Sequence, residues 1–342
     1  MNSSSSVASK VLRVAILDPS FTDSLGAPTP NAGDQIIARA VLREVKNILP
    51  ESVILRFPTH VRLSEDDRRT VSECDWIIVG GSNLLGNPQF SRRRLRYWQQ
   101  WALTGRDAAS IGRAILLGAG WREYEPRVHP RARRLYRRVL ADQPSQHSVR
   151  DGYTARKLAS IGLANVVSTS CPTLWPLGEA SGAAISADRA DVVLTTVTDY
   201  RRDPSADFQV QRLLMRRYRH VYLWPQGSDD LAYLRSWDEP IRHRITVLDP
   251  GLASLDQFLG ATHCDYLGTR LHCGIHCLNA GKRSLILAID NRATEIAADT
   301  NLPVLNRDDL DGIDEWVTRP TRTHLTLDRR AIAQWRGQFS DE

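Results

Sequence analysis

Short apolar runs that end in a glycine or polar turn, each followed by a helically patterned stretch, recur along nearly the whole chain. This alternation limits the fold more than any other feature. Strands separated by helices pair in parallel, because the crossover between them is long enough to hold a helix. In the first half the runs are 11–17, 52–57, 75–79, 114–117, 146–149 and 166–167. In the second half they are 191–197, 220–224, 245–248, 264–267 and 284–289. Between the halves, residues 177–189 (LGEASGAAISADR) are small and polar and read as a linker. The pattern predicts an α/β protein of two Rossmann-like, doubly wound domains facing each other across a cleft. Residues 1–10 (MNSSSSVASK) read as a disordered tail, 11–176 as the N-terminal domain, 190–326 as the C-terminal domain, and 327–342 as a terminal helix. Helical patterning is expected after Asp34, over Gln89 to Trp101, over 130–142 and over 154–161.

At 342 residues the chain is long enough for two domains of ordinary size. No apolar run approaches the ~18 residues that a membrane span needs. The serine-rich start lacks the apolar segment of a signal peptide. Five scattered cysteines fit reduced thiols in a cytoplasm better than a disulfide framework. Lys plus Arg numbers 45 against 39 for Asp plus Glu, a formal charge of +6 carried mostly by arginine. Basic clusters at 92–96, 131–138 and 216–219 read first as solvated helix faces. The next reading is contact with an acidic acceptor or an anionic membrane surface. Nucleic acid is not expected, since no recognisable binding module accompanies the charge.

The stretch 261–292, ATHCDYLGTRLHCGIHCLNAGKRSLILAIDNR, is one complete strand, turn, helix and strand. In open α/β sheets, ligands sit outside the carboxyl ends of the strands, where helix N-termini present free N–H groups. Arg270 and His272 stand at such a point. Arginine offers a rigid fork of donors for phosphate or carboxylate, and histidine exchanges a proton near neutral pH. Arg150 stands at another strand tip; its neighbour Asp151 suits a helix cap, which leaves Arg150 unexplained by capping. The loop after the first strand carries Asn31, Gly33 and Asp34, where a cap and a close backbone approach to a ligand are both compatible with the residues. Gly80-Gly81-Ser82-Asn83 ends the third strand as either a tight turn or a floor under a ligand. The His220–Trp224 run leads into Pro225-Gln226-Gly227-Ser228-Asp229-Asp230 and another helix.

Residues 272–277 (HCGIHC) space His272 and His276, and Cys273 and Cys277, four apart on a helix, with His263 and Cys264 upstream. That spacing suits a metal. Without a second ligand pair the cysteines read instead as small buried side chains, so no metal is expected. No GxSxG, GKS/T or GxGxxG signature is present, and no cofactor is expected.

N-x-GD before the first helix, the glycine turn after DWIIVG, LGAG at 117–120, SVRD with Thr154, CPT, WPQG-x-DD and above all TRLHC with AGKRSLILAIDNR resemble the polysaccharide pyruvyl transferase family. The likeness runs from about residue 12 to about residue 310. It implies a GT-B-like fold and an enzyme of polysaccharide or exopolysaccharide biosynthesis. Such an enzyme moves the enolpyruvyl carbons of phosphoenolpyruvate onto a sugar diol of a glycan or lipid-linked precursor. The product is a pyruvate ketal, and phosphate is released. The resemblance implies that Arg270, Leu271 and His272 meet the donor's phosphate and carboxylate. Two departures are Cys273, where the family usually has glycine, and Gly80-Gly81-Ser82 in place of three glycines.

The expected site therefore has His272 and Asp34 in proton transfer, with Asp229 a further candidate for the base that activates the acceptor. Arg270, Leu271, Arg150, Asn31, Gly33, Gly81, Ser82, Gln226 and Arg292 are expected to bind substrate. The rival readings are a GT-B-like glycosyltransferase using a nucleotide sugar and a non-catalytic glycan-binding relative.

Overall fold

The computed structural model describes residues 11–22, 27, 29–91, 96–98, 100–178, 184–227 and 229–340. The serine-rich tail, the basic run at 92–94, Ser228 and the middle of the expected linker lie outside these residues. Among the described residues the first half contributes strands β1 (Arg13–Asp18), β2 (Val53–Pro58), β3 (Trp76–Gly80), β4 (Gln89–Ser91), β5 (Arg96–Trp98), β6 (Ile115–Leu117), β7 (His147–Val149) and β8 (Val166–Ser168). The second half contributes β9 (Val192–Thr195), β10 (His220–Leu223), β11 (Ile245–Val247), β12 (Asp265–Gly268), β13 (Ser284–Ala288) and β14 (Val304–Asn306).

The first sheet is parallel in the order β2-β1-β3-β6. A bridge from Ala119 to Val149 and a bond from Gly118 N to Ser148 O (3.0 Å) carry it on to the parallel pair β7-β8. The second sheet is parallel in the order β11-β10-β9-β12-β13-β14. Numbered within its own half, that order is 3-2-1-4-5-6. In both sheets the chain reverses its direction of winding next to the first strand: between β1 and β3, and between β9 and β12. Crevices open at such switch points, beyond the carboxyl ends of the strands. The inner strands are apolar because helices cover both faces; Val14, Ala15, Ile16 and Leu17 are all fully buried.

The helix Ala32–Ile48 carries the expected stripe of Ile36, Ile37, Ala40, Val41 and Val45, all buried. Ile37, Val41 and Val45 pack on the first sheet with Val14, Ile16 and Ile78. Ala32 and Ile36, one turn nearer its start, belong to the apolar cluster of the second half, with Leu271, Ile275 and Leu278. One helix thus joins two cores, so its N-terminus is fixed against the second sheet. Arg39 pairs with Asp256 (2.9 Å), and Gly152 N donates to Asp299 (2.6 Å) along the same seam. The late helix Arg329–Gly337 returns to the first sheet: Ile332, Trp335 and Phe339 are buried with Ile115 and Leu117. The Trp335 indole donates to Leu116 O at 3.1 Å, which satisfies its one polar atom.

Over 89–101 the described residues depart from the expected helix: Gln89–Ser91 and Arg96–Trp98 form the antiparallel pair β4-β5, with Gln89 opposite Trp98. Phe90, Tyr97 and Trp98 are aromatic residues that favour extended backbone, and pairing outweighs the helical preference of the arginines. The short β14 and the helices Glu65–Ser72 and Leu310–Thr318 are structure that the sequence pattern does not announce. No helix among the described residues is long and apolar enough to cross a membrane.

Candidate functional site

The two switch points face each other across the seam, and the turns at their strand ends line a cleft. Its outer part is a cavity of about 1310 Å³, bounded by Asp34, Ser82, Tyr124, Tyr200, Arg292 and Arg307 among others. Its inner end is a chamber of about 30 Å³ lined by Asn31, Gly33, Asp34, Ser82, Asn83, Arg150, Tyr200, Gln226, Arg270, Leu271, His272 and Arg292.

Each wall is set by local structure. Asn31 caps the Ala32–Ile48 helix, accepting from Gly33 N (3.0 Å), while its amide donates to Asp34 Oδ2 at 2.9 Å. Ser82 Oγ donates to Asp34 Oδ1 at 3.0 Å. Asp34, one turn into the helix, is thereby held with both oxygens engaged. Burial raises its carboxyl above the ordinary range, against the lowering pull of His60, Ser82 and Arg292. A carboxylate raised in this way is a stronger base than an exposed one. Gln226 reaches across from the other half: its carbonyl accepts from Ala32 N (3.1 Å) and its side-chain amide approaches Asn31 Oδ1 at 3.4 Å.

Gly81 has another role than the one expected. It does not line either part of the cleft. Its φ of +68° is left-handed, and a Cβ there would collide with Ile37 Cγ2 on the neighbouring helix. Ser82 follows at φ 59°, and this paired left-handed turn aims its hydroxyl at Asp34. Glycine is there for packing and turn geometry. Gly81→Ala is expected to cost ~1–3 kcal/mol through overpacking, seen as a lower midpoint in urea unfolding; an unchanged midpoint would remove this account.

Two buried arginines, Arg150 and Arg270, and the partly buried Arg292 converge on the chamber, each oriented by a carboxylate. Arg150 meets Asp151 (Nε to Oδ2, 3.0 Å) and Asn83, in space that Gly120 leaves open by having no side chain. Asp151 also caps its helix through Thr154 N at 2.7 Å, as the sequence suggested. Arg270 donates through Nε to Val197 O (2.9 Å) and through Nη2 to Asp199 (2.8 Å) and to the buried Asp230. Arg292 binds Asp290 through Nε and Nη2, the latter at 2.6 Å, and reaches the Tyr200 hydroxyl. Asp151, Asp199, Asp230 and Asp290 are not among the residues lining the chamber, whereas all three guanidinium side chains are. The carboxylates hold the forks from outside it.

His272 is 5% exposed and sits with its Nε2 at 3.8 Å from the Cys171 thiol of the other half. Burial, then Arg292 and Arg150, pull its pKa down to about 3, with Asp290 the opposing influence. The imidazole is therefore neutral at pH 7 while the chamber holds no anion. Burial pushes the Cys171 thiol up, so the neighbour is an uncharged thiol.

The remaining expectations are placed as follows. Leu271 lines the chamber and packs into the apolar seam. Asp229 is exposed and lines neither part of the cleft; its neighbour Asp230 is the buried one. His276 points to Asp256 (2.7 Å), and Cys264, Cys273 and Cys277 lie in the core. Among the described residues no group of three metal-holding side chains occurs. Sequence reasoning did not single out Asn83, Tyr124 or Tyr200. Their positions after β3, β6 and β9 are the one signal that points to them.

The family model described as polysaccharide pyruvyl transferase matches residues 31–291. No curated protein sequence matches the chain at a significant level. Among solved structures, the UDP-GlcNAc 2-epimerase of Methanocaldococcus jannaschii, in complex with UDP-GlcNAc and UDP, is similar over 97% of this chain and 100% of its own at 10% identity, TM-score 0.51. The corresponding epimerase of Neisseria meningitidis matches over 97% and 94% of the two chains at 12% identity, TM-score 0.42. Anabaena HepE, in complex with UDP, matches over 97% and 95% at 10% identity, TM-score 0.46. The likeness to the first of these, at 10% identity, concerns the fold alone.

Proposed function

We propose that this chain, which belongs to the polysaccharide pyruvyl transferase family, transfers the enolpyruvyl carbons of phosphoenolpyruvate onto two hydroxyls of a sugar to form a pyruvate ketal. A transferase with a glycan acceptor follows from the family; the donor and the ketal chemistry are our reading. The observation that carries it is the chamber, where Arg150, Arg270, Arg292 and His272 meet beside a roomier cavity. Phosphoenolpyruvate carries its phosphate ester and its carboxylate on one carbon, C2, and converging arginine forks suit both. The carboxylates behind the arginines fix the forks before the ligand arrives, which lowers the ordering cost of binding.

The chemistry balances without a cofactor. A proton is added to the C3 methylene, leaving positive charge at C2, and one acceptor oxygen bonds to C2. The C2–O bond to phosphate then breaks, and the second hydroxyl closes the ketal. Two protons leave the diol; one equivalent ends in the new methyl group and one on the phosphate. In this reading His272 delivers the first proton once the donor's charge offsets Arg150 and Arg292. Asp34, whose carboxyl burial raises, takes a proton from the acceptor.

The test is mass spectrometry of a panel of methyl hexopyranosides and oligosaccharides incubated with phosphoenolpyruvate. A product heavier by one pyruvate ketal, with phosphate released, is expected. No such product with any saccharide, together with tight binding of a nucleoside diphosphate, would replace this reading with that of a nucleotide-sugar glycosyltransferase.

A further inference from the structure

We infer that Tyr124 and Tyr200 form the platform on which the acceptor's pyranose ring lies. Six large apolar side chains among the described residues are well exposed, and two of them, Tyr124 (58%) and Tyr200 (52%), line the same outer cavity. They approach it from opposite halves of the chain, one after β6 and one after β9. Both hydroxyls are tied to one helix, Asn291–Thr300: Tyr124 donates to Glu295 Oε1 at 2.6 Å, and Arg292 donates to the Tyr200 hydroxyl. Residues three apart on a helix share a face about 4.5 Å apart along the axis. With the hydroxyls spent on the helix, the rings remain fixed and exposed; Tyr153 braces Tyr124 edge-on, centroids 5.1 Å apart.

A pyranose has an apolar face of C–H groups and a rim of hydroxyls. Fixed aromatic rings cover the face, and a surrounding polar wall reads the rim. The wall here offers Glu123, Thr294, Asp308 and Asp309. The two tyrosines also differ in depth. Tyr200 lines both the chamber and the outer cavity and lies 5.2 Å under the Arg270 guanidinium, whereas Tyr124 lines the outer cavity alone. The acceptor's reacting edge then passes Tyr200 towards Asp34 and His272, and the body of the sugar rests on Tyr124.

This inference rests on the ketal-forming reading, and kinetics with the saccharide that gives the ketal product separate the two. Tyr124→Ala is expected to raise the acceptor KM about tenfold, the loss of one aromatic contact, with the KM for phosphoenolpyruvate changed less than about twofold. Tyr124→Phe, which keeps the ring and loses the bond to Glu295, is expected to recover most of that loss. An unchanged acceptor KM in Tyr124→Ala overturns the platform while leaving the transferase reading intact. Equal damage from Phe and Ala also overturns it, because Tyr124 would then be only a latch between the halves. Absence of any ketal product from the unaltered protein removes both.

Discussion

Replacing His272 with asparagine lowers kcat by about 10²–10⁴ while the KM for phosphoenolpyruvate stays within a few-fold. Asparagine retains a polar group of similar reach in the seam but cannot carry a proton at neutral pH. The burial of the ring makes the pH dependence specific. Without an anion in the chamber, His272 holds no proton until the pH falls to about 3, because burial, Arg292 and Arg150 all oppose its charge. A donor bearing phosphate and carboxylate reverses the local balance, so the imidazole gains proton affinity in the complex. The profile of kcat reports groups in that complex, whereas kcat/KM reports the free protein. An acid must be protonated to act, so kcat is expected to fall as pH rises through the pKa of the complex. His272→Asn is expected to lack this alkaline limb. A variant that keeps both the limb and the rate would assign the acid to another group.

The same residue leaves a mark on stability. Its folded pKa of about 3 lies below the model-peptide value of 6.5, so the unfolded chain takes up a proton that the folded chain refuses. Stability is therefore lost as pH falls from about 6.5 towards 3, by at most ~1.4 kcal/mol per unit. His147, fully buried and drawn down by burial to about 4, adds a similar loss and is untouched by the substitution. His272→Asn is expected to unfold less steeply in acid than the unaltered protein, with the His147 share remaining.

The alternation of strands and helices was legible because parallel strands are buried on both faces, and their apolar runs stand out even at three to six residues. The β4-β5 pair was not, since its pattern is polar and its pairing partner decides the backbone. The lining of the candidate site was legible in the segments that follow strands: Arg150, Gln226, Arg270, His272 and Arg292 come shortly after a strand's end, Asn31 and Asp34 where the longer loop after β1 enters its helix, and all of them line the chamber. Roles that depend on distant partners were hidden. Gly81 is fixed by Ile37, Tyr124 is tied to Glu295, and Arg270 is paired with residues 71 and 40 positions away. The neutrality of His272 likewise follows from burial and from two arginines remote in sequence, not from the RLH run itself.

Arg270 is the residue where binding and folding are hardest to separate, and its replacement by methionine shows why. Asp230, behind it, is fully buried and accepts from Asp199 N (3.1 Å), Gln226 N (3.0 Å) and Gly227 N (2.8 Å) as well as from the guanidinium. Arg270 therefore fastens three turns at the second switch point. Removing one partner of a buried ion pair leaves the other charge uncompensated, at ~3–5 kcal/mol. Arg270→Met is expected to lose that much in urea unfolding at pH 7, and with it measurable donor binding. Burial already pushes the Asp230 carboxyl up, against the pull of Arg270. Without the guanidinium that carboxyl rises further, so on acidification the folded variant takes up a proton at a higher pH than the unfolded chain does. A raised carboxyl stabilises at low pH and loses the effect as pH rises; the deficit of Arg270→Met is accordingly expected to shrink on acidification towards pH 5. Adding Asp230→Asn keeps an oxygen for the loop amides and removes the stranded charge, so the double variant is expected to be more stable than Arg270→Met alone. A deficit independent of pH and undiminished in the double variant would mean that the ion pair is not what holds the turns together.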